Sequence, residues 1–285
     1  MKTTLFRHRA DIPAALFVLG IFGLQLTVFF TVTDPLQAAG WVALLMMAQV
    51  SCGAICHNHH HVNIFTARPL NRLLEVVMYL QTGTSPYSWT IHHNIGHHHE
   101  YLNPARDPSA WKFADGRPMP RLYYDIVNAA MIYPEIWRIG RGYPVLFTRF
   151  KRMFLLSNLV LLGFFLVDPV MTLIVFVAPM LILLVLLLDN TFLQHSGLEL
   201  DNHLVASRNV ENRIYNLTSW NLGFHAAHHM RPGIHWTELP ALHAQIRPQI
   251  PAHLITTSVM GLPSAAERAL RAQQDAGTAP VEAQS

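Results

Sequence analysis

Residues 36–61 read LQAAGWVALLMMAQVSCGAICHNHHH, an uncharged apolar run that ends without a break in a cluster of histidines. The apolar part, residues 36–55, matches the roughly 20 residues a helix needs to cross a bilayer core of about 30 Å. His57, His59, His60 and His61 follow directly, so imidazoles emerge where this span meets the membrane surface. A span that delivers histidines to one membrane face sets both the fold and the place to look for chemistry.

Upstream, residues 12–32 carry no charge and read as another span, closed by Asp34-Pro35. The two runs form a hairpin that returns His57 to the side where the chain begins. Downstream, residues 67–152 are polar. Residues 70–80 and 121–139 mix apolar and polar side chains at helical spacing, and Tyr123, Tyr124, Tyr133 and Trp137 suit either a membrane interface or a packed helix. Residues 153–188 are apolar except at Asp168-Pro169. One helix of that length, rising about 1.5 Å per residue, would overshoot the bilayer, so the run divides there.

The expected spans are therefore 12–32, 36–56, 153–167 and 170–188. The fold class is an all-α integral membrane protein: two transmembrane hairpins under a cytoplasmic helical cap that holds a histidine-rich di-metal site. Residues 1–263 form one domain, and 264–285, rich in Ala, Gln and Glu, form a flexible tail. Composition agrees, with 51% apolar and only 13% charged residues, against roughly a quarter charged in soluble domains. None of the 20 Lys and Arg lies in the two hairpin turns. That pattern places both termini and every histidine cluster in the cytoplasm. A net charge of +3, dispersed, argues against nucleic-acid binding. Cys52 and Cys56 offer no disulfide framework and read as small buried apolar residues.

Two further clusters answer the first. Residues 91–107, IHHNIGHHHEYLNPARD, hold His92, His93, His97, His98 and His99, and residues 225–229, HAAHH, hold His225, His228 and His229. His195 stands alone between them. These places contain 13 of the 18 histidines. His57 and His61, His93 and His97, and His225 with His228 and His229 each recur at one-turn spacing, which aligns them on helical faces. Neutral imidazole binds Zn, Cu, Fe or Ni. Eight or nine aligned histidines exceed the four ligands of one tetrahedral ion and suggest two metals. His8, His203, His235, His243 and His253 read as ordinary solvated residues.

The patterns His57-x3-His61, His93-x3-His97-His98 and His225-x2-His228-His229 resemble the three histidine boxes of the membrane fatty acid desaturase superfamily. So do the flanks: Asn103 and Asp107-Pro108 after the second box, Asn221-Leu222-Gly223-Phe224 before the third, and HHMRPGIHWTELPALH through it. The resemblance implies two iron ions, O2 as co-substrate, and removal of hydrogen from an unactivated C–H bond. Its ligands would be His57, His61, His93, His97, His98, His225, His228 and His229, with His195 as the additional histidine. Helix rotation would allow His60 to replace His61, or His92 to replace His93. Asp107, Asp189, Glu199 and Glu238 are candidates to orient the imidazoles, and Asn190 matches a position with a water-mediated role, displaced by one residue.

The resulting reading is a fatty acyl desaturase acting on a membrane lipid or other acyl chain. No cytochrome b5 segment or ferredoxin-like cysteine set is evident, so electrons would come from a separate ferredoxin or cytochrome b5, which points to a bacterial inner membrane. Box two followed by DPSA also resembles membrane alkane monooxygenases, so a hydroxylase of alkanes or fatty acids, or a carotenoid ketolase or hydroxylase, is the rival on the same scaffold. A histidine-rich metal transporter is a further alternative, but such proteins place metal ligands near the bilayer midplane, and these spans carry none there.

Overall fold

A computed structural model describes residues 4–200 and 202–262. The expected tail at 264–285 lies outside them. In chain order the helices are α1 (Asp11–Thr31), α2 (Pro35–His61), α3 (Arg68–Thr82), α4 (Arg121–Gly140), α5 (Pro144–Val167), α6 (Pro169–His195), α7 (Arg213–Thr218), α8 (His225–Met230) and α9 (Leu239–Ile246), with a π-helix at Thr90–His97 between α3 and α4. The chain divides into two compact units. The first runs to Phe192 and includes Gly233–His235; the second holds Leu193–Pro232 and the chain from Trp236 on.

In the first unit, α1, α2, α5 and α6 are long and apolar enough to cross a membrane. Their surfaces are those of helices in lipid: Leu16, Leu24, Phe30, Leu44, Met47, Leu166 and Leu181 all point outward. Both hairpins turn by one device. Asp34 accepts the Gln37 N–H at 2.7 Å and Asp168 accepts the Met171 N–H at 2.9 Å, each followed by a proline in the first helical turn. The carboxylate satisfies a donor the helix start leaves open, and proline fits there because its missing N–H would have no partner. Phe29, near the end of α1, meets Phe164, near the end of α5, at 5.1 Å between ring centroids. The two turns therefore lie side by side, and the histidine end of α2 lies at the opposite end of the bundle.

Helix α5 begins at Pro144, upstream of the uncharged run. Arg149, Lys151 and Arg152 are exposed on its early turns, where long side chains can carry their charges to the membrane surface. Helix α3 is packed, with Leu74, Met78 and Leu80 almost fully buried. Helix α4 instead keeps Leu122, Tyr123, Ile126 and Trp137 exposed along one side, the surface of a helix lying at an interface.

Two buried glutamines of the bundle donate to backbone carbonyls of neighbouring helices. Gln25 donates to the Val175 carbonyl at 3.0 Å, within a π-helical stretch of α6 (Leu173–Val177), and Gln81 donates to the Val18 carbonyl at 3.0 Å. Among the described residues, Phe29, Val42, Tyr79 and Phe176 form one apolar cluster, and Trp89, Ile132, Ile136 and Phe150 form another, beneath the π-helix.

The second unit is tied by a short parallel pair, β1 (Asn209–Val210) with β2 (Ile255–Thr256). Glu211, next to β1, accepts from His243 at 2.9 Å and pairs with Arg247, which anchors α9.

Candidate metal centre

In the first unit the end of α2 and the π-helix converge. Ring nitrogens of His57, His61 and His93 lie within 4.8 Å of one another. His98 joins them, its Nε2 3.0 Å from the Nε2 of His93. That separation suits two imidazoles sharing one ion, since bonds of about 2.1 Å at a right angle place two nitrogens about 3 Å apart. His97 stacks on His93 with centroids 5.1 Å apart.

The π register explains why three histidines of box two meet. The one-turn spacing of an α-helix would align His93 with His97 and leave His98 beside them. Here the His98 N–H reaches back five residues to the His93 carbonyl at 2.9 Å, and the wider turn brings positions i, i+4 and i+5 onto one side. Single π turns often mark functional sites, and this one runs for eight residues. Gly96 permits its packing, because a Cβ there would come within 2.7 Å of Pro108 Cγ and 2.8 Å of Ile139 Cδ1.

His97 is fixed from outside. Its Nδ1 donates to Asp107, 2.9 Å from Oδ2 and 3.1 Å from Oδ1. Asp107 is held in turn by the Leu102 N–H at 2.9 Å and the Ser109 N–H at 2.7 Å. Leu102 adopts φ 59°, a left-handed conformation rare for leucine, to make that contact. With Nδ1–H committed to a carboxylate, Nε2 carries the lone pair that can ligate. Burial first, then the neighbouring His57, His98, His97 and His61, holds His93 well below the usual imidazole range. It is neutral at ordinary pH, the form a metal needs.

In the second unit, His195, at the end of α6, is fully buried and donates Nδ1–H to the Ala206 carbonyl at 3.1 Å. Its Nε2 lies 3.0 Å from the Nε2 of His225, which lies 3.1 Å from the Nε2 of His229. His228 stacks on His225 with centroids 5.4 Å apart. Helix α8 is short and takes its position from its surroundings. Asn209 on β1 accepts the Ala226 N–H at 3.0 Å, and Gly223 lets the preceding turn press against Asn216 and the Val210 carbonyl, where a Cβ would sit 2.5–2.6 Å away.

His60 turns its Nδ1–H to the Cys56 carbonyl at 2.8 Å, and His92 stacks on Trp89; neither joins the His57–His61–His93 group. Burial first, then His97 and Arg138, lowers the His92 pKa to about 3. Asp189 accepts two hydrogen bonds from Arg121, at 2.6 and 2.7 Å, and so joins α6 to α4. Asn190 is half-buried beside it, while Glu199 and Glu238 are exposed.

Three further histidines, His235 and His243 among them though read as solvated, are buried and paired with carboxylates. His235 meets Asp11 at 2.9 Å, His243 meets Glu211, and His59 meets Glu75 at 3.0 Å. Glu75 is fully buried and also pairs with Arg72 at 2.6 Å. Its contact with His59 fixes the rotation of the α2 end that presents His57 and His61.

Four helices able to cross a membrane, with nests of imidazoles spaced so that they could hold metal, define an integral membrane protein with histidine-rich clusters. The fatty acid desaturase family matches residues 34–260, and the chain belongs to that family. Membership supports a desaturase- or hydroxylase-like oxidoreductase function. No curated protein matches the chain.

Proposed function

We propose that the protein is an O2-dependent fatty acyl desaturase that inserts a double bond into an acyl chain drawn from the membrane. The observation that carries this reading is the family match across residues 34–260, over a chain whose three histidine boxes supply buried and half-buried imidazoles. His57, His61, His93, His97, His98, His195, His225, His228 and His229 would hold two iron ions, which supply O2 activation and hydrogen removal when bound.

The chain's own residues supply the rest. Asp107 holds the His97 proton on Nδ1, and the Ala206 carbonyl does the same for His195, so both rings present Nε2. Glu75 sets the α2 end through His59. Trp89, stacked on His93 at 4.8 Å and almost fully buried, closes the first nest against water. Electrons come from a separate ferredoxin or cytochrome b5, and the site faces the cytoplasm of a bacterial inner membrane.

The test is a product mass assay on membranes containing the chain, supplied with O2, a reducing system and labelled acyl-lipid, alkane and carotenoid substrates. An acyl product lighter by two hydrogens is expected. A product heavier by one oxygen would transfer the assignment to a hydroxylase, and no oxidised product from an iron-loaded, reduced protein would remove the oxidoreductase reading.

A further inference from the structure

Gly53 on α2 is buried, yet a Cβ built there would meet no atom within 4 Å. The other described glycines with such open surroundings, among them Gly20, Gly40 and Gly163 on the spanning helices, are exposed. The space beside Gly53 is therefore internal. It lies one helical turn from His57, on the same side of α2.

Gln49 lies one turn further from His57, also on that side. It is fully buried, and neither its amide nitrogen nor its amide oxygen has a hydrogen-bond partner. Gln25 and Gln81, buried in the same bundle, each donate to a backbone carbonyl. Leaving a buried donor or acceptor unmet is costly in water-free surroundings, and polar side chains inside membrane spans tend to be functional. An unmet amide next to an internal space, in line with a candidate ligand, is placed to hydrogen-bond a group that enters that space.

We propose that Gln49 and Gly53 determine substrate specificity. A long apolar chain entering from the bilayer lies along this side of α2 in the space Gly53 leaves open, and the Gln49 amide hydrogen-bonds to an oxygen carried on that chain. Eight residues separate Gln49 from His57, about 12 Å along the helix. The preferred substrate is thus a chain bearing a carbonyl or hydroxyl oxygen about that distance from the carbon presented to the histidines. The placement of that carbon rests on the proposed oxidoreductase function; recognition of the oxygen does not. A site built to hydrogen-bond a group discriminates strongly against the analogue that lacks it.

The test uses the full chain, iron-loaded, in lipid nanodiscs, with labelled hexadecanoate and a series of keto-hexadecanoates whose carbonyl is stepped along the chain. Equilibrium dialysis should show one or two adjacent keto isomers binding about tenfold more tightly than hexadecanoate. Gln49→Leu should abolish that preference without weakening hexadecanoate binding. Gly53→Leu should weaken every chain, with iron content unchanged. Gly53→Ala, whose single methyl enters open space, keeps the comparison available if the leucine variant fails to fold, and should weaken binding to a smaller degree. A keto preference that survives Gln49→Leu, or no preference in the natural protein, overturns the proposal; the second result is what a water molecule on Gln49 would give. Mass analysis of the same samples after adding O2 and a reductant separates the two readings. Selective binding with no oxidation of any chain sinks the oxidoreductase function alone. Oxidation without selectivity sinks the role of Gln49 alone.

Discussion

Replacing Asp107 with asparagine should loosen metal held through His97 without displacing a ligand. Both carboxylate oxygens of Asp107 accept backbone N–H groups, from Ser109 and Leu102, and both also lie near His97 Nδ1. Asparagine has one acceptor oxygen and one donor nitrogen. Whichever way its amide is turned, the nitrogen faces a backbone N–H, so one buried donor loses its partner, at about 1–3 kcal/mol. His97 also loses a charged acceptor, and its ring is no longer held in the tautomer that exposes Nε2. Removing such an outer carboxylate typically weakens metal binding 10- to 100-fold, equivalent to about 1.4–2.7 kcal/mol. The assay is retained iron in purified protein dialysed against chelators of graded affinity. The expected result is a 10- to 100-fold shift of the release curve, with a lowered thermal midpoint in detergent. A release curve superimposable on that of the natural protein would show that Asp107 serves the loop alone and that His97 is not a ligand.

Gly96→Ala should lower the thermal midpoint and the iron content together, because its Cβ would press on Pro108 and Ile139; overpacking of this kind costs roughly 1–3 kcal/mol, and a normal midpoint would refute the packing account. Glu75→Ala leaves buried His59 and part-exposed Arg72 without their shared carboxylate, so it should destabilise the detergent-solubilised protein by roughly 3 kcal/mol, whereas Glu75→Gln should be milder; equal behaviour of the two would count against a charge-paired role. Burial first, then the neighbouring Asp189, raises the Asp125 pKa to about 6. The folded state therefore binds that proton more tightly than the unfolded state, and the stability it gives is lost as pH rises from about 4 through 6. Asp125→Asn should flatten this part of the thermal-midpoint profile, and an unchanged slope would assign it to other groups. His228→Ala should reduce bound iron and abolish turnover while membrane insertion persists; full activity would contradict its place among the ligands.

The membrane scaffold was legible because lipid imposes a coarse rule: long uncharged runs, broken where Asp34-Pro35 and Asp168-Pro169 permit a turn, can be read from composition alone. The start of α5 was not, because Arg149, Lys151 and Arg152 break the hydropathy signal while remaining compatible with helix at the span's edge. Histidine spacing pointed to shared faces, but it could not reveal the π register at Thr90–His97, which depends on which carbonyl each N–H selects. Pairing of histidines with carboxylates was hidden for another reason. His235 and Asp11 are separated by 224 positions, and nothing in either neighbourhood marks the other. Asp107 was legible because it sits ten residues from His97 in a flank whose pattern is itself informative.

The two aspartate–proline turns have a consequence for how the protein meets the rest of the cell. With only a few residues between α1 and α2, and a single residue between α5 and α6, that end of the bundle offers almost no surface to an aqueous compartment. A protease or impermeant labelling reagent added there would find little to act on. The brevity of two turns thus leaves that side of the four helices with almost nothing for water-borne molecules to reach.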